Sequence, residues 1–286
     1  MKKLIFSIVL LITVFTIHAQ EGHELWLRNK TAVPVNVVCP KNSPTLAIAK
    51  QELQQGWQGK SNATVVLTII KNKEIKNDGF KLSENSVEAT TDVGILYGVY
   101  EMLRRQQTGQ SITDEVNNPS YEFRILDHWD NLNGTIERGY AGLSIFWHKV
   151  DSFVVTDRDK ILWQEYARAN ASVGINGSVL NNVNASPLIL TAGYLNRVKA
   201  IADVLRPYGV KVYLSVNSAS PKVIGGIATA DPLDPMVIKW WQDKVKEVYS
   251  LIPDFGGFLV KANSEGQPGP QDYGRTHADG ANVLAD

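Results

Sequence analysis

Apolar and polar residues follow two different rhythms along this chain, and the change from one to the other divides it. Before about residue 118 the pattern is that of a small mixed unit. "ATVVLTII" (63–70) is a β-branched run of strand length, and "SVEATTD" (86–92) alternates in the manner of a half-buried strand. "VGILYGVYEMLRRQQ" then sets Ile95, Leu96, Val99, Met102 and Leu103 on one helical stripe. "NNPS" (117–120) reads as a linker.

From Tyr121 the rhythm becomes strand then helix, repeated. The strand-like runs are "YEFRIL" (121–126), "GINGSVL" (174–180), "GVKVYLSV" (209–216) and "FGGFLV" (255–260). Between them, Ile161, Leu162 and Tyr166 predict the buried stripe of one helix. Tyr194, Leu195, Val198, Ile201, Ala202 and Leu205 do so for a second, and Val237, Ile238, Trp241, Val245, Val248 and Tyr249 for a third. Strands separated by helices predict a parallel sheet with crossover helices.

Each of these strands runs out into polar residues: Asp127 to Asn131, then Asn181, Asn182 and Asn184, then Asn217 and Ser218, then Lys261, Asn263, Ser264 and Glu265. In a (β/α)8 barrel the carboxyl ends of the strands converge on one mouth, where the chemistry sits. A doubly wound open sheet is the rival, but the first strand-to-helix turn has no glycine-rich phosphate loop. The fold class expected is therefore α/β: a small N-terminal α/β domain over 21–118, followed over 119–286 by four βα units. A complete barrel has eight such units and about 250 residues.

Composition adds limits. The chain has 286 residues, 44% hydrophobic and 20% charged, with 29 basic and 29 acidic side chains. Such balance gives no basic stripe for nucleic acid or an anionic membrane. Residues 1–20 have Lys2 and Lys3 before an apolar run and a small-residue exit at Ala19, the pattern of a secretory signal peptide. Its removal leaves 27 basic against 29 acidic residues and no expected membrane span, so the mature protein is expected to be exported, to a periplasm or the medium. Cys39 is the single cysteine, which excludes an internal disulfide, and it reads as a small buried hydrophobe.

Among candidate chemical groups, Glu265 stands out. A carboxyl just past a buried strand can have its pKa raised and donate a proton, as glycosidic cleavage requires. Lys261 either holds an anionic substrate group or pairs with that acid. Trp129 is either a stacking platform for a sugar ring or a packing residue. Asp130 and Asn131 either bind hydroxyls or cap a turn, and the same choice applies to Asn181, Asn182 and Asn184. Glu137 and Arg138 either pair with each other or meet substrate. His128 and His277 have no metal-ligand spacing, so no metal and no cofactor is expected.

Longer stretches carry a resemblance. "HWDNLNGTIERGYAG" (128–142), "YARANASVGINGSVLNNVNA" (166–185), "ADPLDP" (230–235) and "DFGGFLVKANSEGQPGPQDYGRTHADGAN" (254–282) resemble the α-glucuronidases of glycoside hydrolase family 67, and "GHELWLR" (22–28) resembles that family's start. The first unit is similar to the N-terminal α/β domain of β-hexosaminidases. The resemblance implies a (β/α)8 barrel and metal-free, inverting removal of α-1,2-linked glucuronic acid, or its 4-O-methyl ether, from the ends of xylo-oligosaccharides. The implied partners are glucuronoxylan-derived aldouronic acids, and the full-length enzyme is open to homodimerisation. By position in "KANSEGQPGP", Glu265 corresponds to the general acid and Lys261 to a residue that meets the uronic carboxylate. Trp129, Asp130, Asn181, Asn182 and Asn217 fall at the mouth.

The family's water-activating acids lie on later strands, so the chain is expected to be an N-terminal portion, inactive by itself, with its general base beyond residue 286. Asp127 and Asp130 stay open for that role. Half a barrel would leave two open edges, so an aggregation-prone chain is expected. The rival functions are a non-catalytic binder of xylan-derived uronic oligosaccharides and, from the first unit alone, a β-hexosaminidase-like hydrolase.

Overall fold

The computed structural model of the chain describes Trp26 and residues 32–138, 142–148, 153–264 and 266–285. The expected signal peptide, all of "GHELWLR" but Trp26, residues 139–141 of the first long signature, and Glu265 fall outside the described residues.

The first half forms a five-stranded sheet from β1 (Val35–Val38), β2 (Ala63–Ile69), β3 (Phe80–Ser83), β4 (Ser86–Ala89) and β5 (Glu115–Asn117). Their order is β1-β2-β4-β3-β5; β1, β2 and β4 run parallel, and β3 runs antiparallel to β4 and β5. Two helices, α1 (Pro44–Gly56) and α2 (Asp92–Thr108), pack on each other and against this sheet. The expected α2 stripe is right: Ile95, Leu96, Val99, Met102 and Leu103 are completely buried. The strand expected over 86–92 stops at Ala89 because Thr91 is the N-cap of α2, its hydroxyl accepting the Gly94 N–H at 3.0 Å. In the expected linker, Asn118 is tied down: its side chain accepts the Lys76 N–H and donates to the Glu74 carbonyl, both at 2.8 Å. Cys39 is half-buried rather than enclosed, with its thiol donating to the Lys41 carbonyl.

The second half forms a four-stranded sheet from β6 (Ile125–Asp127), β7 (Gly177–Val179), β8 (Lys211–Asn217) and β9 (Gly257–Lys261). All are parallel, and their order in space is their order in sequence. No reversal occurs among them, unlike the doubly wound arrangement. The helices are α3 (Asp157–Ser172), α4 (Ala192–Leu205), the short α5 (Ser220–Val223), α6 (Pro235–Leu251) and α7 (His277–Ala285). No helix among the described residues is long and apolar enough to cross a membrane. β6 is shorter than expected, and Tyr121 and Phe123, which suggested a longer strand, are mostly exposed.

Alternation sorts the sheet into two faces. Val212, Leu214 and Val216 are buried in the core under the helices, while Tyr213, Ser215 and Asn217 point the other way. On that second face the ladder aligns Asp127 with Val179 and Tyr213, and Asn217 with Lys261. Tyr213 needs neighbours without side chains. A Cβ on Gly177 would lie 2.8 Å from its ring, and one on Gly256 would lie 2.3 Å from it.

One expected stripe is turned. Ile161 and Leu162 of α3 are exposed, and Trp163, Ala167 and Ala171 are buried in their place. The Trp163 indole N–H donates to the Ile145 carbonyl at 2.7 Å, so the largest ring of the helix sets its rotation. α3 begins with a reciprocal cap in which Thr156 and Asp159 each accept the other's backbone N–H.

The two sheets share a continuous core. Glu52 on α1 accepts from Arg168 on α3 and from the Tyr100 hydroxyl on α2. Arg124, just before β6, donates to Asp78 of the first half at 2.5 Å. Gly209, with φ of 75°, leaves room for Val93, whose Cγ1 would stand 2.6 Å from a Cβ there.

Candidate active site

The carboxyl ends of β6 to β9 each carry polar side chains to one rim. The chain leaves β6 through His128, whose Nε2 lies 2.7 Å from the Tyr166 hydroxyl, itself 2.8 Å from the Ser178 hydroxyl. Burial pushes the Tyr166 phenol up to about 12, so it remains a neutral hydrogen-bonding group there. Desolvation also raises the Asp127 carboxyl at the strand end, with nearby His128 opposing it.

After β6 the backbone folds back on itself, with Asp130 bridging to Ile136 and the Glu137 N–H donating to the Trp129 carbonyl at 2.9 Å. Trp129 is 40% exposed, and the Arg138 guanidinium sits over its ring at 5.3 Å. Asp130 is buried, with its carboxylate accepting from the Ser144 hydroxyl at 2.5 Å. That hydroxyl oxygen accepts the backbone N–H groups of Phe146 and Trp147, both at 3.0 Å, so Asp130 anchors the 144–147 segment.

The asparagines after β7 divide the work. Asn181 is buried and prolongs the ladder: its amide donates to the Ser215 carbonyl and accepts the Ser215 N–H, both at 3.0 Å. Asn182, also buried, donates to Asn131 Oδ1 at 3.0 Å and to the Glu137 carboxylate, and its Oδ1 accepts the Asn184 N–H at 2.9 Å. Asn184 donates to Glu137 at 3.0 and 3.3 Å, and Lys261 at the end of β9 donates to Asn184 Oδ1 at 2.7 Å.

Asn217, at the end of β8, donates to the Ala185 carbonyl at 3.0 Å and to Gln267 Oε1 at 2.9 Å. Gln267 belongs to a turn that its own N–H closes onto the Ser264 carbonyl at 2.9 Å. Farther along, Arg275 clasps Asp231 through two nitrogens, joining "ADPLDP" to the "RTHADG" stretch and holding the Asp231 carboxyl below its usual range. A cleft of about 620 Å3 beside the rim is lined by Asp130, Asn131, Asn182, Asn184, Tyr194 and Arg197, among others.

The structure thus brings Asn182 and Lys261 into one network and gives Asn181 and Asn217 to the backbone around them. Glu137 and Asn184, each of which the sequence left open between a structural and a substrate-binding role, are the hub of that network. Glu137 bonds to two asparagines, and its sequence neighbour Arg138 lies over Trp129. Among the described residues no cluster of three His, Cys, Asp or Glu side chains can hold a metal ion. What the rim offers is amide and ammonium hydrogen bonding beside an indole, which suits a polyhydroxylated ligand bearing negative charge.

Comparison with known proteins gives this rim a family. The description "Glycosyl hydrolase family 67 middle domain" matches residues 103–286. The "Probable alpha-glucuronidase A" of Aspergillus clavatus is 36% identical over 325 residues, covering 100% of this chain and 38% of its own length. The "Alpha-glucuronidase" of Hypocrea jecorina is 37% identical over 97% of this chain and likewise 38% of its own. This chain therefore spans well under half the length of these relatives. Among solved structures, a GH138 enzyme targeting pectin rhamnogalacturonan II aligns over 79% of this chain and 30% of its own, with TM-score 0.54 and 17% identity. A Streptomyces plicatus β-hexosaminidase mutant aligns over 89% and 60%, with TM-score 0.50 and 12% identity. These two likenesses concern the fold.

Proposed function

The chain belongs to glycosyl hydrolase family 67, and from that premise we propose that it serves α-glucuronidase chemistry. The reading is exo-acting, inverting release of α-1,2-linked glucuronic acid, or its 4-O-methyl ether, from xylo-oligosaccharides. The four sequential βα units are taken as an arc of a (β/α)8 barrel, with the rim as part of its mouth. The observation that carries the proposal, beyond family membership, is Lys261. Its ammonium sits at a strand end within a network of amides, where a planar carboxylate can be met by charge and by hydrogen bonds together.

In this reading Lys261 binds the uronic carboxylate and the Trp129 indole offers an apolar face to a sugar ring. Glu265, as a neutral carboxylic acid, protonates the departing xylosyl oxygen, which is a poor leaving group until it gains a proton. Water attacks the anomeric carbon from the opposite face with help from a second carboxylate, about 6.5–9.5 Å from the first in enzymes that invert. Asn181 and Asn217 hold the backbone of the rim around Lys261.

Exchange of Glu265 tests the acid. In an enzyme comprising this chain, Glu265→Gln should abolish release of glucuronic acid from aldouronic acids and spare their binding. It should cost far less on an aryl glucuronide, whose leaving group needs no proton. Equal losses on both substrates would overturn the assignment. Calorimetric titration of the chain with aldouronic acids tests recognition separately from turnover, and binding without hydrolysis would favour a carbohydrate-binding role.

A further inference from the structure

We propose that Glu137 is a positioning residue for Lys261, acting through Asn184, and that this relay sets the preference for a uronate over a neutral sugar. The inference rests on the reading above, in which Lys261 meets the uronic carboxylate.

An amide side chain presents opposite hydrogen-bonding character at its two ends. An asparagine side chain carries a donor at one end and an acceptor at the other, and rotation by half a turn exchanges them at almost no steric cost. Asn184 has a carboxylate on one side, with Nδ2 at 3.0 and 3.3 Å from the two Glu137 oxygens, and an ammonium on the other, with Lys261 Nζ 2.7 Å from Oδ1. Reversal would set oxygen against carboxylate and NH2 against ammonium. Only one orientation survives, and it turns an acceptor towards Lys261.

Asn182 secures the same carboxylate. Its Nδ2 also donates to Glu137, and its Oδ1 takes the Asn184 backbone N–H at 2.9 Å, fixing the start of the Asn184 side chain. Glu137 is in turn held by its own N–H on the Trp129 carbonyl. The relay thus runs across the rim from the loop after β6, over the loop after β7, to the end of β9.

The interposed amide has a consequence for charge. A direct contact between Glu137 and Lys261 would place a carboxylate where the substrate carboxylate has to go. With Asn184 between them, the Glu137 oxygens face two amides, and what Asn184 turns towards the ammonium is a neutral oxygen.

The test uses the whole chain and glucuronate as the probe. Wild type, Glu137→Gln, Lys261→Met and the double variant are titrated with glucuronate and with glucose. Glu137→Gln should weaken glucuronate binding about tenfold, the scale of one hydrogen bond to a charged group, with glucose unaffected. The double variant should bind no more weakly than Lys261→Met alone. Independent losses that multiply in the double variant would overturn the relay while leaving the Lys261 contact intact. Unchanged glucuronate binding in Lys261→Met would instead remove the reading on which the relay rests. A ligand-free measurement guards against variants that bind nothing: proton exchange of the Lys261 ammonium, followed by 15N NMR, should quicken in Glu137→Gln and in Asn184→Ala. Exchange as slow as in wild type in both folded variants would overturn the proposal.

Discussion

Arg168 reaches Glu52 across 116 residues of sequence and meets both of its carboxylate oxygens, Nε at 2.6 Å and Nη2 at 2.9 Å. The pair joins α3 under the second sheet to α1 of the first, and the Tyr100 hydroxyl donates to the same carboxylate at 3.2 Å. Glu52 is almost wholly buried and strengthens the neighbouring guanidinium's hold on its proton.

Removing one partner leaves the other charge stranded in the interior. Arg168→Met should cost about 3–5 kcal/mol in unfolding free energy, and Glu52→Gln a comparable amount. Denaturant unfolding of both single variants and of the double variant checks this. The double variant should lose less than the two single losses added together.

Tyr213 sets a second test. Its ring is held between Gly177 and Gly256, and a methyl at Gly177 would also meet Ile125 Cγ1 at 2.9 Å. Gly177→Ala should destabilise the chain by about 1–3 kcal/mol through overpacking, and adding Tyr213→Leu should recover part of that loss. Thermal unfolding of the two variants against wild type decides it.

Parts of this architecture could be read from the sequence because they rest on local rules. The α2 stripe follows from spacing alone, and β8 from a strand-length run in which Val212, Tyr213, Leu214 and Val216 predominate. α3 was harder, since Ile161 and Leu162 form a respectable stripe until Trp163 claims the core. The Ser43-Pro44 pair is a cap-and-first-turn signal that announces α1, a helix the periodicity reading passed over. At the rim, the polar clusters do fall at the carboxyl ends of β6 to β9, where their place after each strand-like run put them. The link from Glu137 to Asn184 joins residues 47 apart, and nothing in the local pattern of either one encodes it.

Acid should act on the α3 cap. Burial by itself would raise the Asp159 carboxyl, but the Thr156 backbone and hydroxyl, His148 and Arg197 together hold it below the ordinary range. A carboxyl depressed in the folded state contributes stability that is fully present above its unfolded value, about 3.9, and is lost as pH falls through the lower folded value. The gap in stability between wild type and Asp159→Asn should therefore be widest near neutrality and narrow below about pH 4. Unfolding curves collected from pH 3 to 7 measure it.

Lys261 gives the most direct test of recognition. Lys261→Met should weaken binding of aldouronic acids by roughly tenfold to a hundredfold, the value of a charge-assisted hydrogen bond. It should leave binding of neutral xylo-oligosaccharides nearly unchanged, and raising the salt concentration should reduce the difference between the two ligand classes for wild type only. Titration calorimetry with both ligand classes reads each effect.

The hydrogen bond from Asn217 to Gln267 changes how damage to this region should be diagnosed. The turn at 264–267 follows β9 in sequence but leans on β8 in space. A lesion on β8 would therefore surface as misalignment one strand over. Anyone grafting the "KANSEGQPGP" stretch into a relative would have to carry its neighbour's asparagine along with it.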